Sequence, residues 1–181
     1  MYPKFAEIDG KKYPIDTSYR TALKCFDVIN DKSIGDYERA LAVIYLLFDF
    51  IPDENLDIFL QKAGKFLSCD KADDEVQTQA KDFDHNQDFH YVTASFMSDY
   101  KIDLTKEDLH WWLYCDLLQG LTEDCILNRV REIRNFDMTE VKDPKQRAKL
   151  IEAKKAVELK VEETEEEKQL REEFEKLMGG E

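Results

Sequence analysis

The sequence predicts a mainly α fold: a compact helical domain with a small N-terminal β-hairpin and a long C-terminal helical extension. Three observations carry that expectation. Apolar residues recur at three- and four-residue spacing through most of the chain up to Val141. Asp9-Gly10 separates two short runs near the start. After Val141 the composition shifts to a tract rich in Ala, Glu, Lys and Leu. The expected division is a helical core with its hairpin over residues 1–141 and a charged extension over 142–181.

The runs KFAEI and KKYPI flank Asp9-Gly10. That dipeptide favours a type I′ turn, whose two central residues need positive φ. Two strands alone are marginal, so the hairpin is expected to lie against helices. Helical spacing begins after Asp16 through Tyr19, Ala22, Leu23, Phe26 and Ile29, with Thr17 or Ser18 as N-cap. A second helix covers about Asp36–Phe48. Tyr37, Ala40, Leu41, Ile44 and Phe48 form one face, and Val43, Leu46 and Leu47 widen it. Pro52 stops it. A third runs from about Glu54 to Leu67, with Leu56, Phe59, Leu60, Ala63 and Leu67 inside.

Asp70–Asp84 is acidic and aperiodic and reads as a loop. Spacing returns from Asp88 to Tyr100. The next helix is expected over about Lys106–Gln119, with Thr105 as N-cap and Asp108 at N3. It carries two apolar stripes, one of Leu109, Trp112, Leu113 and Leu117, the other of Trp111, Tyr114, Leu118 and Leu121. A helix with two apolar faces belongs at the centre of the fold. Gly120 suits its C-terminus, and Thr122 caps a further helix with Ile126, Val130 and Ile133 inward. Asp143-Pro144 opens the extension. Unbroken, that helix would run about 50 Å and would bury little against its own domain.

Lys and Arg number 26 against 40 Asp and Glu, a formal charge of -14. Such a chain repels phosphate backbones and anionic lipid surfaces, so neither nucleic acid nor membrane is an expected partner. The longest apolar run, Leu41–Phe48, is too short to span a bilayer, and MYPKFAEIDG has no basic flank before an apolar run. A cytoplasmic location is expected. Cys25, Cys69, Cys115 and Cys125 form no Cys-x-x-Cys pair and read as reduced thiols, most packed as small hydrophobes.

Residue patterns for chemistry are missing. His85 and His90 are five apart and share no helical face; both read as surface residues, with His110 packed near the core. No zinc spacing occurs. Asp70, Asp73, Asp74 and Glu75 lack the central glycine of a calcium loop. No phosphate-binding glycine motif or nucleophile elbow is present. The expectation is a non-enzyme with no cofactor. The structural support of the central region is assigned to His110, Trp111, Trp112, Asp116, Arg131 and Arg134, with a partly buried pair between Asp116 and Arg131 or Arg134. The alternative for the arginines is a basic patch that receives an acidic partner segment.

Leu109-His110-Trp111-Trp112, then Leu117-Leu118, Gly120-Leu121, Glu123-Asp124 and Arg134 form a specific set. Upstream stand Tyr91, Ala94, Phe96, Tyr100 and Ile102-Asp103-Leu104, and further upstream Asp9-Gly10 and Asp16-Thr17. Over roughly residues 1–140 the chain resembles the tailed-phage gene-product-fifteen family. The resemblance implies a tail-morphogenesis protein encoded near the tape measure of siphophages and prophages of Gram-positive bacteria. It implies a tail-assembly chaperone or accessory, and it carries over no catalytic residue.

The expected partner is then a protein, either the tape measure or a tail-tube protein. Leu170, Phe174 and Leu177 form the last apolar stripe of the extension and are its expected contact. The same stripe could dock on its own domain or pair with a second copy through the C-terminal helix. Two other readings stand beside the chaperone: an acidic nucleic-acid mimic that occupies a host DNA-binding protein, and a structural tail or connector component.

Overall fold

The computed structural model of the protein describes residues 1–70 and 82–160. Asp9 and Gly10 take φ of 50° and 73°, the two positive values a type I′ turn requires. Strand β1 (Phe5–Ile8) therefore pairs antiparallel with β2 (Lys11–Pro14), with Phe5 opposite Pro14 and Ile8 opposite Lys11. Ala6 and Ile8 point inward, while Phe5 and Glu7 face out. The Asp16 N–H donates to the Leu47 carbonyl at 2.8 Å, which pins the chain after the hairpin to a helix end.

Seven α-helices follow among the described residues: α1 (Tyr19–Asn30), α2 (Asp36–Phe48), α3 (Leu56–Leu67), α4 (Phe89–Tyr100), α5 (Trp111–Gln119), α6 (Ile126–Asn135) and α7 (Pro144–Ala156). A 3-10 turn, Met138–Glu140, stands before α7. The chain is mainly α with one small hairpin, as its spacing predicts. None of the described helices is long and apolar enough to cross a membrane.

Four of the seven described helices, α1, α5, α6 and α7, open on a side-chain cap. Ser18 Oγ accepts the Arg20 N–H at 3.1 Å and opens α1. Gly35 opens α2 without a side-chain cap, and the Glu38 carboxylate lies back toward it. Two expected starts are corrected. The helix placed at Lys106 begins instead at Trp111, because Asp103 collects the residues before it. Its carboxylate accepts the Thr105 N–H at 3.0 Å and hydroxyl at 2.6 Å, and it pairs with Lys106 at 2.8 Å. Those bonds, that of Lys106 first, hold the Asp103 carboxyl down at about 2. Thr105 is thus a turn residue, and His110 is the cap. The helix placed after Thr122 begins after Cys125, because Asp99 accepts both the Thr122 N–H and its hydroxyl at 2.9 Å.

The core gathers on Tyr114. Its ring stacks on Tyr19 at 4.8 Å, on Phe96 at 5.3 Å and on Trp111 at 5.7 Å, so one residue of α5 joins α1 and α4. Burial pushes the Tyr114 hydroxyl well above its ordinary pKa. Of the two stripes, Trp111, Tyr114 and Leu121 of one are buried and its Leu118 is half-covered; Leu109, Trp112, Leu113 and Leu117 of the other are half-covered. Cys25 and Cys125 are buried, and burial raises the Cys25 thiol to about 12.

Four residues assigned inward lie at the edge. Ile29, Tyr37, Leu60 and Ile126 are all exposed. In each helix the buried set is displaced around the axis: Cys25 in α1, Val43, Ile44, Leu47 and Phe48 in α2, Phe66 in α3, and Leu127 in α6. Spacing marks an apolar arc; the neighbouring helices decide which part of it they cover. His85, read as a surface residue, is half-buried, with its ring 4.5 Å from Phe83 and its Nδ1 3.4 Å from the Tyr114 hydroxyl.

The helix of the extension is broken among the described residues. Helix α7 starts at Asp143 as expected, with Pro144 in its first turn, but ends at Ala156. Beyond it the backbone is claimed by the core. Arg134 Nε donates to the Val157 carbonyl at 2.6 Å, and the Gln87 amide exchanges two bonds with the Lys160 backbone at 2.8 and 2.9 Å. Leu150, Ala153, Lys154, Val157 and Leu159 are the half-covered positions of this segment, while Ile151 is exposed. The expected loop falls partly, and Leu170, Phe174 and Leu177 wholly, outside the described residues.

Candidate functional site

The LHWW run forms a junction at the start of α5. A backbone bridge ties it to α1: the Tyr19 N–H donates to Leu109 O at 2.9 Å and the Trp111 N–H to Thr17 O at 2.7 Å. His110 Nδ1 accepts the Trp112 N–H at 3.1 Å, which leaves Nε2–H to donate to the Pro3 carbonyl at 2.8 Å. Both ring nitrogens are thereby satisfied. Tyr2 stacks on the same ring at 5.0 Å.

The tryptophans finish another helix. The Trp112 indole N–H donates to Phe66 O at 2.9 Å and the Trp111 indole N–H to Leu67 O at 3.0 Å. These are the last two residues of α3, where carbonyls run out of helical donors; Phe66 O also accepts the Cys69 N–H at 3.2 Å. Adjacent tryptophans can do this because they leave the first turn of α5 on neighbouring sides. The run therefore joins the N-terminus, α1, α3 and α5.

Arg134 makes the second junction. Its guanidinium forks onto the Asp88 carboxylate with bonds of 2.7 and 2.8 Å, and the two side chains are 10% and 1% exposed. It also donates to Asp82 O at 2.9 Å and Val157 O at 2.6 Å, and the Lys154 ammonium donates to Arg134 O at 2.9 Å. Burial by itself would raise the Asp88 carboxyl. The Arg134 bonds, the Asp84 N–H at 3.0 Å and the guanidinium charge outweigh it and hold the carboxyl below its ordinary value. The same contacts raise Arg134.

The expected pair between Asp116 and Arg131 or Arg134 does not form. Asp116 is exposed and accepts the Tyr2 hydroxyl at 2.6 Å, on the side of α5 that faces the N-terminus. Arg131 pairs instead with Asp82 at 3.2 Å. Both acids that meet the arginines lie in the stretch read only as acidic loop and helix start. They are brought to α6 because α4 packs against it.

The family model for the bacteriophage Gp15 protein matches residues 2–159. The chain belongs to the bacteriophage Gp15 family. No curated protein and no solved structure matches it. In this Gp15-family chain the match takes in both junctions and also α7 with its return to the core. It thus crosses the composition shift at Val141.

The six residues assigned to structural support split into two groups in the Gp15 fold. His110, Trp111, Trp112 and Asp116 serve the first junction; Arg131 and Arg134 serve the second. The polar atoms of His110, both indoles and Arg134 are committed to the chain itself, while Asp116 and Arg131 keep part of theirs toward solvent. Sequence reasoning missed the surface of α2. Tyr37 and Tyr45 are 63% and 53% exposed and make no hydrogen bond or ring contact among the described residues. The signal was available in their spacing: with Leu41 between them they form one four-residue ridge of the helix, which borders the buried Val43, Ile44, Leu47 and Phe48 arc.

Proposed function

We propose that this Gp15-family chain is a non-enzymatic phage tail-assembly protein. It acts as a chaperone-like factor in the host cytoplasm, binding the tape measure or another tail protein. The observation that carries the reading is the family match over residues 2–159. Two physical features support it. The -14 charge keeps a complex with an apolar chain soluble, and large apolar side chains remain on the outside of α2. A tape measure is long and helical, and it needs cover until the tail tube encloses it.

Co-expression tests this. The chain should move the tape measure of the same phage into the soluble fraction. Replacing Leu170, Phe174 and Leu177 by serine should reduce the yield. A truncation should end after Lys160, because the Lys154, Val157 and Lys160 contacts belong to the core. A tape measure that stays insoluble with the intact chain overturns the chaperone mechanism. Mass spectrometry of purified particles separates the structural alternative: a chaperone is absent from mature virions, and a tail or connector component is present in fixed copy number.

A further inference from the structure

We infer that the exposed Tyr37–Leu41–Tyr45 ridge of α2 is a docking strip for an amphipathic helix with basic residues at both ends of its apolar face. The strip consists of Tyr37, Leu41 and Tyr45 at four-residue spacing, with Ala42 beside them. The tyrosines are exposed and Leu41 and Ala42 half-buried, so two large side chains leave the backbone about 12 Å apart along the axis with a lower floor between them. That relief accepts the side-chain ridge of a second helix. Tyrosine suits such a surface, since its ring gives apolar area and its hydroxyl stays wet.

Charge selects the occupant. Exposed Glu38 stands at the start of the strip and exposed Asp49 just past its end. The one cation of α2, Arg39, is turned away: it pairs with Asp36 and donates to Asp31 O at 2.7 Å. The strip is thus apolar between two carboxylates, and a partner with lysine or arginine at both ends complements it. A second copy would bring the same carboxylates and a charge of -14 against them. The chain's own residues 162–181 hold nine glutamates against three basic residues, so they fit no better. A basic-flanked segment of another protein remains. The inference rests on the proposed function only in taking that protein to be a tail component.

The test uses a labelled helical peptide of leucines and lysines, about 18 residues long, titrated into the full chain by fluorescence anisotropy. A peptide of the same pattern with glutamate for lysine is the control. The lysine peptide should bind and the glutamate peptide should not. Y37S/Y45S, which keeps every charge, should raise Kd about tenfold or more with an unchanged melting temperature. E38Q/D49N should weaken binding several-fold and flatten its salt dependence, and Asn at position 49 tolerates the left-handed φ of 61° there. Equal binding to wild type and Y37S/Y45S would mean attraction by net charge alone and overturns the proposal. So does equal binding of the two peptides, or none by the lysine peptide. The titration contains no phage partner, so it fails separately from the co-expression experiment.

Discussion

Arg131 and Arg134 sit one turn apart on α6, and both reach acids of the segment before α4. One pair is 43% and 23% exposed, the other 10% and 1%. The difference lies in what else each cation holds. Among the described residues Arg131 meets only Asp82. Arg134 meets a buried carboxylate, a loop carbonyl and the carbonyl that ends α7, so it fastens three stretches of chain. A charge pair costs desolvation when buried. It is retained where its removal would strand a partner charge.

Mutations on the two arginines test that contrast most directly. Arg134→Ala should cost about 3–5 kcal/mol in urea unfolding, because it leaves Asp88 charged and unpaired in the interior. A loss no larger than that of Arg131→Ala would break the comparison. Next is Asp88→Asn. The native carboxyl lies below its ordinary value of 3.8. Its contribution is therefore complete above that pH and is lost as pH falls through the depressed native value. The variant should be less stable than wild type at pH 7, and the gap should close in acid. A gap that is constant with pH would show that the charge is not what stabilises.

Trp111→Phe extends the contrast to the first junction, where the pairing is neutral. It leaves the Leu67 carbonyl without its indole donor and should cost about 1–3 kcal/mol by thermal or urea unfolding. Arg131→Ala should have the smallest effect, about 0–1 kcal/mol, and that effect should shrink with added salt. A salt-independent loss from Arg131 would place its pair with the buried one after all.

Much of the local structure was legible. The Asp9-Gly10 turn, the Ser18 cap and the start of α7 at Asp143-Pro144 each follow from a residue acting within a few positions of itself. Helix existence was legible for the same reason, because apolar period is a local property. The errors cluster where a distant or competing polar group intervened. Thr105 lost its capping role to Asp103, Thr122 lost its role to Asp99, and the helix after Ala156 lost its continuation to Arg134 and Gln87. The polar pairings were the least legible. Asp116 and Arg134 looked matched because they stand on consecutive helices, yet the partners of both come from far along the chain.

The sequence by itself determined the helical class, the hairpin, the acidic charge and the family. These depend on composition, on period and on motifs that need no partner to be read. Only the tertiary structure decided which arc of each helix is covered, that Arg134 takes Asp88, and that the two tyrosines of α2 stay outside. The physical reason is common to all three. An arginine, a tyrosine or an apolar edge carries several equivalent options, and the choice among them is made by whichever helix packs alongside.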